Sequence, residues 1–402
     1  MRVLIVNDLG TDTGGAERVS LSLRERLRTD GHEVMLFSSS FQPVADVPVD
    51  ADVMCRGASG RSQSVLSVVN LSAMRGLGKL LESYQPDVVH LRMFQWQLSP
   101  LVLRCLGNWP CLVHVVNYDL ICPVNTKTLP SGQPCAQQAG RVCLSEGCLG
   151  LPGYARFLAQ GAIRSRYFER ARDRLITNSY WVRGRLSAEG VRVDDVVWNG
   201  VAITPERTKL CPGSPTIGYA GRLVPKKGVD TLVRAVAIAQ EQVPDLALLI
   251  AGEGESRQEL QELAETLGIE DSVKFLGHLS KADMDREFER LWVQAAPSLW
   301  EEPFGLVAAE GMMRSTAVIT TNTGGLSEQN IVDKTGYTVS PGDVDQWADA
   351  IVRIVSDRDR AVMFGRNARE HAERNLSFDA FYEHILAQYE LTIQAKAART
   401  DG

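Results

Sequence analysis

Residues 297–328 read PSLWEEPFGLVAAEGMMRSTAVITTNTGGLSE, and the rest of the chain is arranged around them. Glu302 and Glu310 stand eight positions apart, and Pro303 follows the first directly. Proline suits the first turn of a helix, where its missing N–H costs nothing. The spacing therefore predicts a loop ending near Glu302 and a helix from about Pro303 to Met313. Glu302 would sit at the helix mouth and Glu310 about two turns in. A fully helical path separates their Cα atoms by about 12 Å along the axis. That separation suits a ligand with two polar ends and a charged middle, with the helix N-terminus favouring the anion. The competing reading is a surface helix with two solvated glutamates. Ala317–Thr320 then reads as a strand and Gly324-Gly325 as a turn, so strand, turn and helix alternate as in a doubly wound α/β sheet.

The same alternation extends upstream. Residues 216–223, TIGYAGRL, form a strand running into a turn, followed by Pro225-Lys226-Lys227-Gly228 and a helix over Val229–Gln240. Arg222 and Lys227 flank this turn. Two fixed cations there would stabilise the growing negative charge of a departing diphosphate and remove the need for a divalent metal. A pair of ordinary surface charges is the alternative. Leu246–Gly254 reads as a strand ending in glycines and Val273–Leu279 as a strand and loop, Trp292–Ser298 leads back to the opening stretch, and a helix is expected over about Val344–Val355. A last helix is expected over about Phe378–Ala398.

At the N-terminus, Arg2–Val6 is a near-continuous apolar run that fits a buried parallel strand. Gly14-Gly15-Ala16-Glu17-Arg18 follows, then a helical pattern through Val19, Leu21, Leu23 and Leu27. A glycine-rich strand–helix turn lets backbone N–H groups approach a phosphate, although an ordinary turn has the same look. His32–Phe37, Asp87–Leu91 and Cys111–Val116 read as more strands. Ligands of such sheets bind beyond the strand carboxyl ends. His90, His114, Asn117 and Tyr118 fall near such ends and are candidates for the acceptor side. A hydrogen-bonded structural histidine is the competing reading for the two imidazoles.

Several of these stretches together resemble the retaining glycosyltransferases of family 4. The Glu-Pro-Phe-Gly run at 302–305, the second glutamate, Gly324-Gly325 with Glu328, the Gly-Arg-Leu…Lys-Gly run at 221–228 and the Gly-Gly-x-Glu at 14–17 carry the resemblance. It implies the GT-B fold, two Rossmann-like domains facing across a cleft. The implied boundaries are an acceptor-side domain at 1–200 with a Cys-rich insertion at about 119–152, and a linker at 201–215. A nucleotide-sugar domain follows at 216–376, then a helix at 377–402 crossing back to the first domain. The implied function is sugar transfer, with retention, from a nucleotide-sugar such as a UDP- or GDP-sugar. The acceptor hydroxyl would belong to a glycan or polysaccharide repeat, a lipid-linked molecule or a small molecule. In this scheme Glu302, Arg222, Lys227 and His114 act at the reacting centre. Gly14, Gly15, Phe304, Gly305, Leu306 and Glu310 hold the donor, with Glu310 on the ribose and Gly15 against the diphosphate. A nucleotide-sugar epimerase, a phosphorylase and a non-catalytic binding homologue are the alternatives.

The chain departs from the family pattern at four places. Gly311 stands where alanine is usual, and Ser315 and Ala317 where a glycine and a proline are usual. Val116-Asn117-Tyr118 stands where a histidine usually precedes the last two. His114 lies two residues earlier, on the same face of a regular strand.

Composition bounds the rest. The chain has 402 residues, enough for two domains, and its 44% hydrophobic and 23% charged residues are those of a globular protein. A net charge of −6 argues against nucleic acid as the main partner. The start lacks the build of a signal peptide and no apolar run is long enough to span a bilayer, so a cytoplasmic location, or one at the inner membrane face, is expected. Cys122, Cys135, Cys143 and Cys148 follow a C-x12-C-x7-C-x4-C pattern in a loop-like stretch. They read as a structural Zn²⁺ site, as free thiols or as disulfides, with no cofactor needed for catalysis. Cys55, Cys105, Cys111 and Cys211 read as scattered thiols. Residues 153–175 read as a helix carrying six arginines, suited either to an anionic membrane or to solvent with pairing to Glu169 and Asp173.

Overall fold

The computed structural model describes residues 1–205 and 213–400. Cys211 and much of the expected linker lie outside the described residues. The chain divides into two compact units. One comprises Met1–Pro130, Ala136–Val197 and Tyr382–Gly402; the other comprises Ser131–Cys135 and Trp198–Phe381.

Among the described residues the first unit holds a seven-stranded sheet, built from β1 (Arg2–Leu9), β2 (Glu33–Ser39), β3 (Val53–Cys55), β4 (Val88–Leu91), β5 (Cys111–Val115), β6 (Arg174–Thr177) and β7 (Asp195–Val196). Their order is β3-β2-β1-β4-β5-β6-β7, and the pairings are parallel. Val3, Leu4, Ile5 and Val6 of β1 are fully buried, as expected for a strand covered on both faces. Register places Ile5 between Leu36 and His90. The helix Leu71–Tyr84 starts at Asn70, whose side chain accepts the Ala73 N–H at 3.0 Å.

The second unit holds β8 (Thr216–Ala220), β9 (Ala247–Ala251), β10 (Val273–Gly277), β11 (Val293–Ala296), β12 (Ala317–Thr321) and β13 (Gly336–Val339), in the order β10-β9-β8-β11-β12-β13, again parallel. The helix Val229–Gln240 and the helix Val344–Val355 have the bounds expected from the sequence. The second buries Trp347, Ile351, Ile354 and Val355, residues three and four apart on one face. They join Leu232, Val236, Ile217, Leu248 and Ile250 in one core. Each such side chain contributes about 1.5–3 kcal/mol of burial free energy.

The last helix runs Phe378–Thr400. From Tyr382 onward it belongs to the first unit, where Gln388 accepts from Arg174 at 3.0 Å and donates to Asp195 at 2.8 Å. The basic helix is Leu151–Ala171, shorter than expected, because Arg174 and Leu175 pair with β5 as part of β6. Arg172 pairs with Glu169 at 2.8 Å, whereas Asp173 pairs with Arg399 of the last helix at 2.9 Å. No helix among the described residues is long and apolar enough to cross a membrane.

Among the described residues no group of three or more His, Cys, Asp or Glu is placed to hold a metal ion. Other bonds fasten the Cys-rich loop. Buried Lys127 donates to the Gln137 carbonyl at 2.8 Å and forms an ion pair with Glu189. The Lys127 N–H points at the Cys122 sulfur at 3.4 Å, and Asn125 accepts the Tyr118 N–H at 2.8 Å. A loop of this length needs a fastener, and a buried cation supplies it.

Candidate active site

Each sheet reverses its strand order once. From β8 the chain builds outward through β9 and β10, then returns to the other flank of β8 as β11; β1, flanked by β2 and β4, holds the same place in the first sheet. The crevice beyond the strand ends at such a reversal is where open parallel sheets bind ligands.

In the second unit the turn after β8 docks on the loop after β11. The Leu299 N–H donates to the Lys226 carbonyl at 2.9 Å. Gly228 has φ +65°, and a Cβ there would lie 2.2 Å from the Pro297 carbonyl oxygen, so only glycine permits this approach. The docking brings Lys227 Nζ to Glu302 Oε1 at 2.6 Å, and the Ser298 hydroxyl donates to the same oxygen. Burial alone would raise the Glu302 carboxyl. The Lys227 ammonium, the Ser298 hydroxyl and Lys226 instead hold it below the usual carboxylate range. Lys226 Nζ stands 4.3 Å over the Trp300 ring, and burial together with Arg222 and Lys227 pushes its own pKa down. Arg222 is exposed; its carbonyl accepts from the Tyr219 hydroxyl at 2.9 Å.

The helix of this region begins at Leu306 and ends at Met313, not at Pro303 as the sequence suggested. Phe304 is buried and Gly305 has φ +90°, which interrupts the helical path. A Cβ on Gly305 would lie 2.2 Å from Leu326. Pro303 therefore sits in a turn and Glu302 in the loop before it. Glu310 is on the helix and half-buried. The Gly324-Gly325 turn props the loop from below: the Gly325 N–H donates to the Glu302 carbonyl at 2.7 Å, and Gln329 donates to the Phe304 carbonyl at 2.5 Å.

In the first unit, Gly14 caps the helix Gly15–Thr29 in an extended conformation. Asp8, at the end of β1, accepts the N–H groups of Trp96, Gln97 and Leu98 at 3.0, 2.8 and 2.8 Å. Asn117 is half-buried and accepts the Asp119 N–H at 3.1 Å, while Tyr118 is fully buried. Asp119 is pushed up to about 7 by burial and by the charge of Asp8.

His90 and His114 are both fully buried and share a hydrogen bond at 3.2 Å; His90 also bonds the Tyr389 hydroxyl at 2.8 Å. Burial, followed by the nearby Arg92 guanidinium, pushes both well below the usual histidine value. The two imidazoles are thereby held inside the first unit, where His90 ties the last helix to the sheet. Parity along β5 put His114 on the expected face, but that face is interior. Three features went unread in the sequence: Ser298 on Glu302, Trp300 against Lys226, and the buried side chain of Arg92. Only the first could have been suspected, from its position four residues before the glutamate.

Comparison with known proteins bears on this geometry. Residues 14–200 match the family description "Glycosyl transferase 4-like domain" and residues 203–371 match "Glycosyl transferases group 1". A D-inositol 3-phosphate glycosyltransferase of Corynebacterium jeikeium is 36% identical over 193 residues, 46% of this chain and 44% of that protein. A GDP-mannose-dependent phosphatidylinositol monomannoside mannosyltransferase of Mycobacterium tuberculosis is 36% identical over 162 residues, 39% of this chain and 42% of that protein. The matched stretch thus spans less than half the length of these curated relatives. Among solved structures, the sucrose-phosphate synthase of Thermosynechococcus elongatus superposes with a TM-score of 0.73 at 22% identity, covering 98% of this chain and 100% of that one. Anabaena HepE, solved with UDP and glucose, gives 0.68 at 18% identity over 97% and 99%. Likeness at this identity speaks for the fold alone, which is GT-B. The chain thus carries a glycosyl transferase 4-like domain at 14–200 followed by a domain of the glycosyl transferases group 1 at 203–371.

Proposed function

We propose that the chain transfers a sugar from a nucleotide-sugar, a UDP- or GDP-sugar first, to an acceptor hydroxyl with retention at the anomeric carbon. The observation that carries the reading is the buried Lys227–Glu302 pair at the strand-order reversal of the second sheet, 2.6 Å apart. A relative that uses GDP-mannose and a structural neighbour solved with UDP support the choice of donor class.

In the reaction the bond between the anomeric carbon and the leaving phosphate oxygen breaks, and the acceptor oxygen bonds to the same face. The acceptor proton passes to the departing diphosphate. Arg222 and Lys227 stabilise that diphosphate. A general base works best with a pKa near the operating pH, and Glu302 is held on the acidic side of even an ordinary carboxylate. It therefore serves as a fixed negative charge that orients the sugar and offsets the oxocarbenium-like charge. Glu310 holds the ribose.

The test is nucleoside diphosphate release from a panel of UDP-, GDP-, ADP- and dTDP-sugars, with and without acceptors. Selective release, lost by at least a hundredfold in Glu302→Ala while donor binding by calorimetry changes little, is the expected result. An unchanged turnover rate in that variant would overturn the assignment.

A further inference from the structure

The reversal in the first sheet holds a buried cation whose side chain has no hydrogen-bond partner among the described residues. After β4, the Arg92 N–H donates to the Val6 carbonyl at 3.0 Å, which pins the residue against β1. Its side chain is buried, and none of Nε, Nη1 and Nη2 has a hydrogen-bond partner among the described residues. A guanidinium carries five donors in a rigid fork and stays ionised, so burying it unpaired carries a large desolvation penalty. Asp8, at the end of β1, accepts three backbone N–H groups instead. Glu17 attracts Arg92 electrostatically without bonding it. At the matching place in the second sheet, Glu302 Oε1 accepts from both Lys227 and Ser298. The contrast is between a completed pair and an uncompleted one at the two places where such sheets receive ligands.

We propose that Arg92 is an anion-recognising residue of the acceptor site, and that the acceptor carries a phosphate or carboxylate group. The acceptor part of this inference rests on the glycosyltransferase reading; the anion site does not. The planar fork of arginine matches either oxyanion bidentately, which a lysine cannot do.

The experiment uses the full chain with Arg222→Met and Lys227→Met, which removes the two cations assigned to the diphosphate in the second unit. Inorganic phosphate and acetate are titrated into it by calorimetry, with and without Arg92→Met. The expected result is binding of one or both anions, weakened at least tenfold by Arg92→Met and less by Arg92→Lys; which anion binds names the group. The thermal midpoint of the anion-free Arg92→Met chain reports its folding, and Arg92→Gln is read the same way if that variant does not fold. No binding of either anion, or equal binding with and without Arg92, overturns the inference. Donor turnover of the unaltered chain is scored separately. Turnover without anion binding defeats this inference alone, and anion binding without turnover defeats the glycosyltransferase reading alone.

Discussion

At the scale of single residues, local chemistry is set by what each side chain meets. Gly311 replaces the family's usual alanine because a Cβ there would lie 2.5 Å from Cγ of buried Gln294. Gly311→Ala is expected to destabilise by about 1–3 kcal/mol through overpacking, and Gln294→Ala in the same chain should remove most of that cost. Urea unfolding of the two single variants and the double variant measures the coupling. Ser315 has φ +58°, the conformation for which the family's glycine is suited. The two buried histidines give a pH prediction. Their folded pKa values are depressed, so the unfolded chain binds more protons below its ordinary value of about 6.5. Their contribution to stability is present above that pH and is lost as pH falls below it, by up to about 1.4 kcal/mol per histidine per unit. Denaturant midpoints at pH 7, 6 and 5 should fall in the native chain. The fall should flatten in the His90→Asn, His114→Asn double variant.

At the scale of elements, two loops are held by tertiary bonds rather than by their own propensity. Gly324 has φ +64°, and a Cβ there would lie 2.4 Å from the Glu302 carbonyl oxygen. Gly324→Ala should therefore displace the Glu302 loop and lower turnover at least tenfold while the second sheet stays folded, read by kinetics beside far-UV circular dichroism. The loop after β5 depends on Lys127 with Glu189. Lys127→Met leaves a largely buried carboxylate unpaired and is expected to cost about 3 kcal/mol. A metal chelator is expected to leave the thermal midpoint of the native chain unchanged. A drop with chelator and none with Lys127→Met would reverse that assignment.

At the scale of the whole molecule, each unit has its own parallel sheet, and the last helix is part of the first unit from Tyr382 onward. Ile385 and Tyr389 are fully buried there, and Tyr389 bonds His90 in β4. Ending the chain after Phe381 should strip amide-exchange protection from β4, β5 and β6 and leave β8, β9, β11 and β12 protected. Equal loss in both sheets would show that the second unit depends on that helix as well.

The sequence by itself determined what is periodic or local. Continuous apolar runs marked the buried parallel strands, and apolar spacing marked helices as far as their ends at Val229–Gln240 and Val344–Val355. The short runs around Arg222, Lys227 and Glu302 identified the family, because their residue types sit at fixed offsets along the chain. Tertiary structure alone decided what depends on neighbours distant in sequence. It turned His90 and His114 inward, since strand parity gives a face but not whether that face is covered. It started the helix at Leu306, since the burial of Phe304 and the contact of Gly305 with Leu326 outweigh a local proline preference. It fastened the loop after β5 through Lys127, and it left the Arg92 side chain buried with no hydrogen-bond partner among the described residues, because whether a charge meets a partner is decided by the packing of distant segments and by no pattern along the chain.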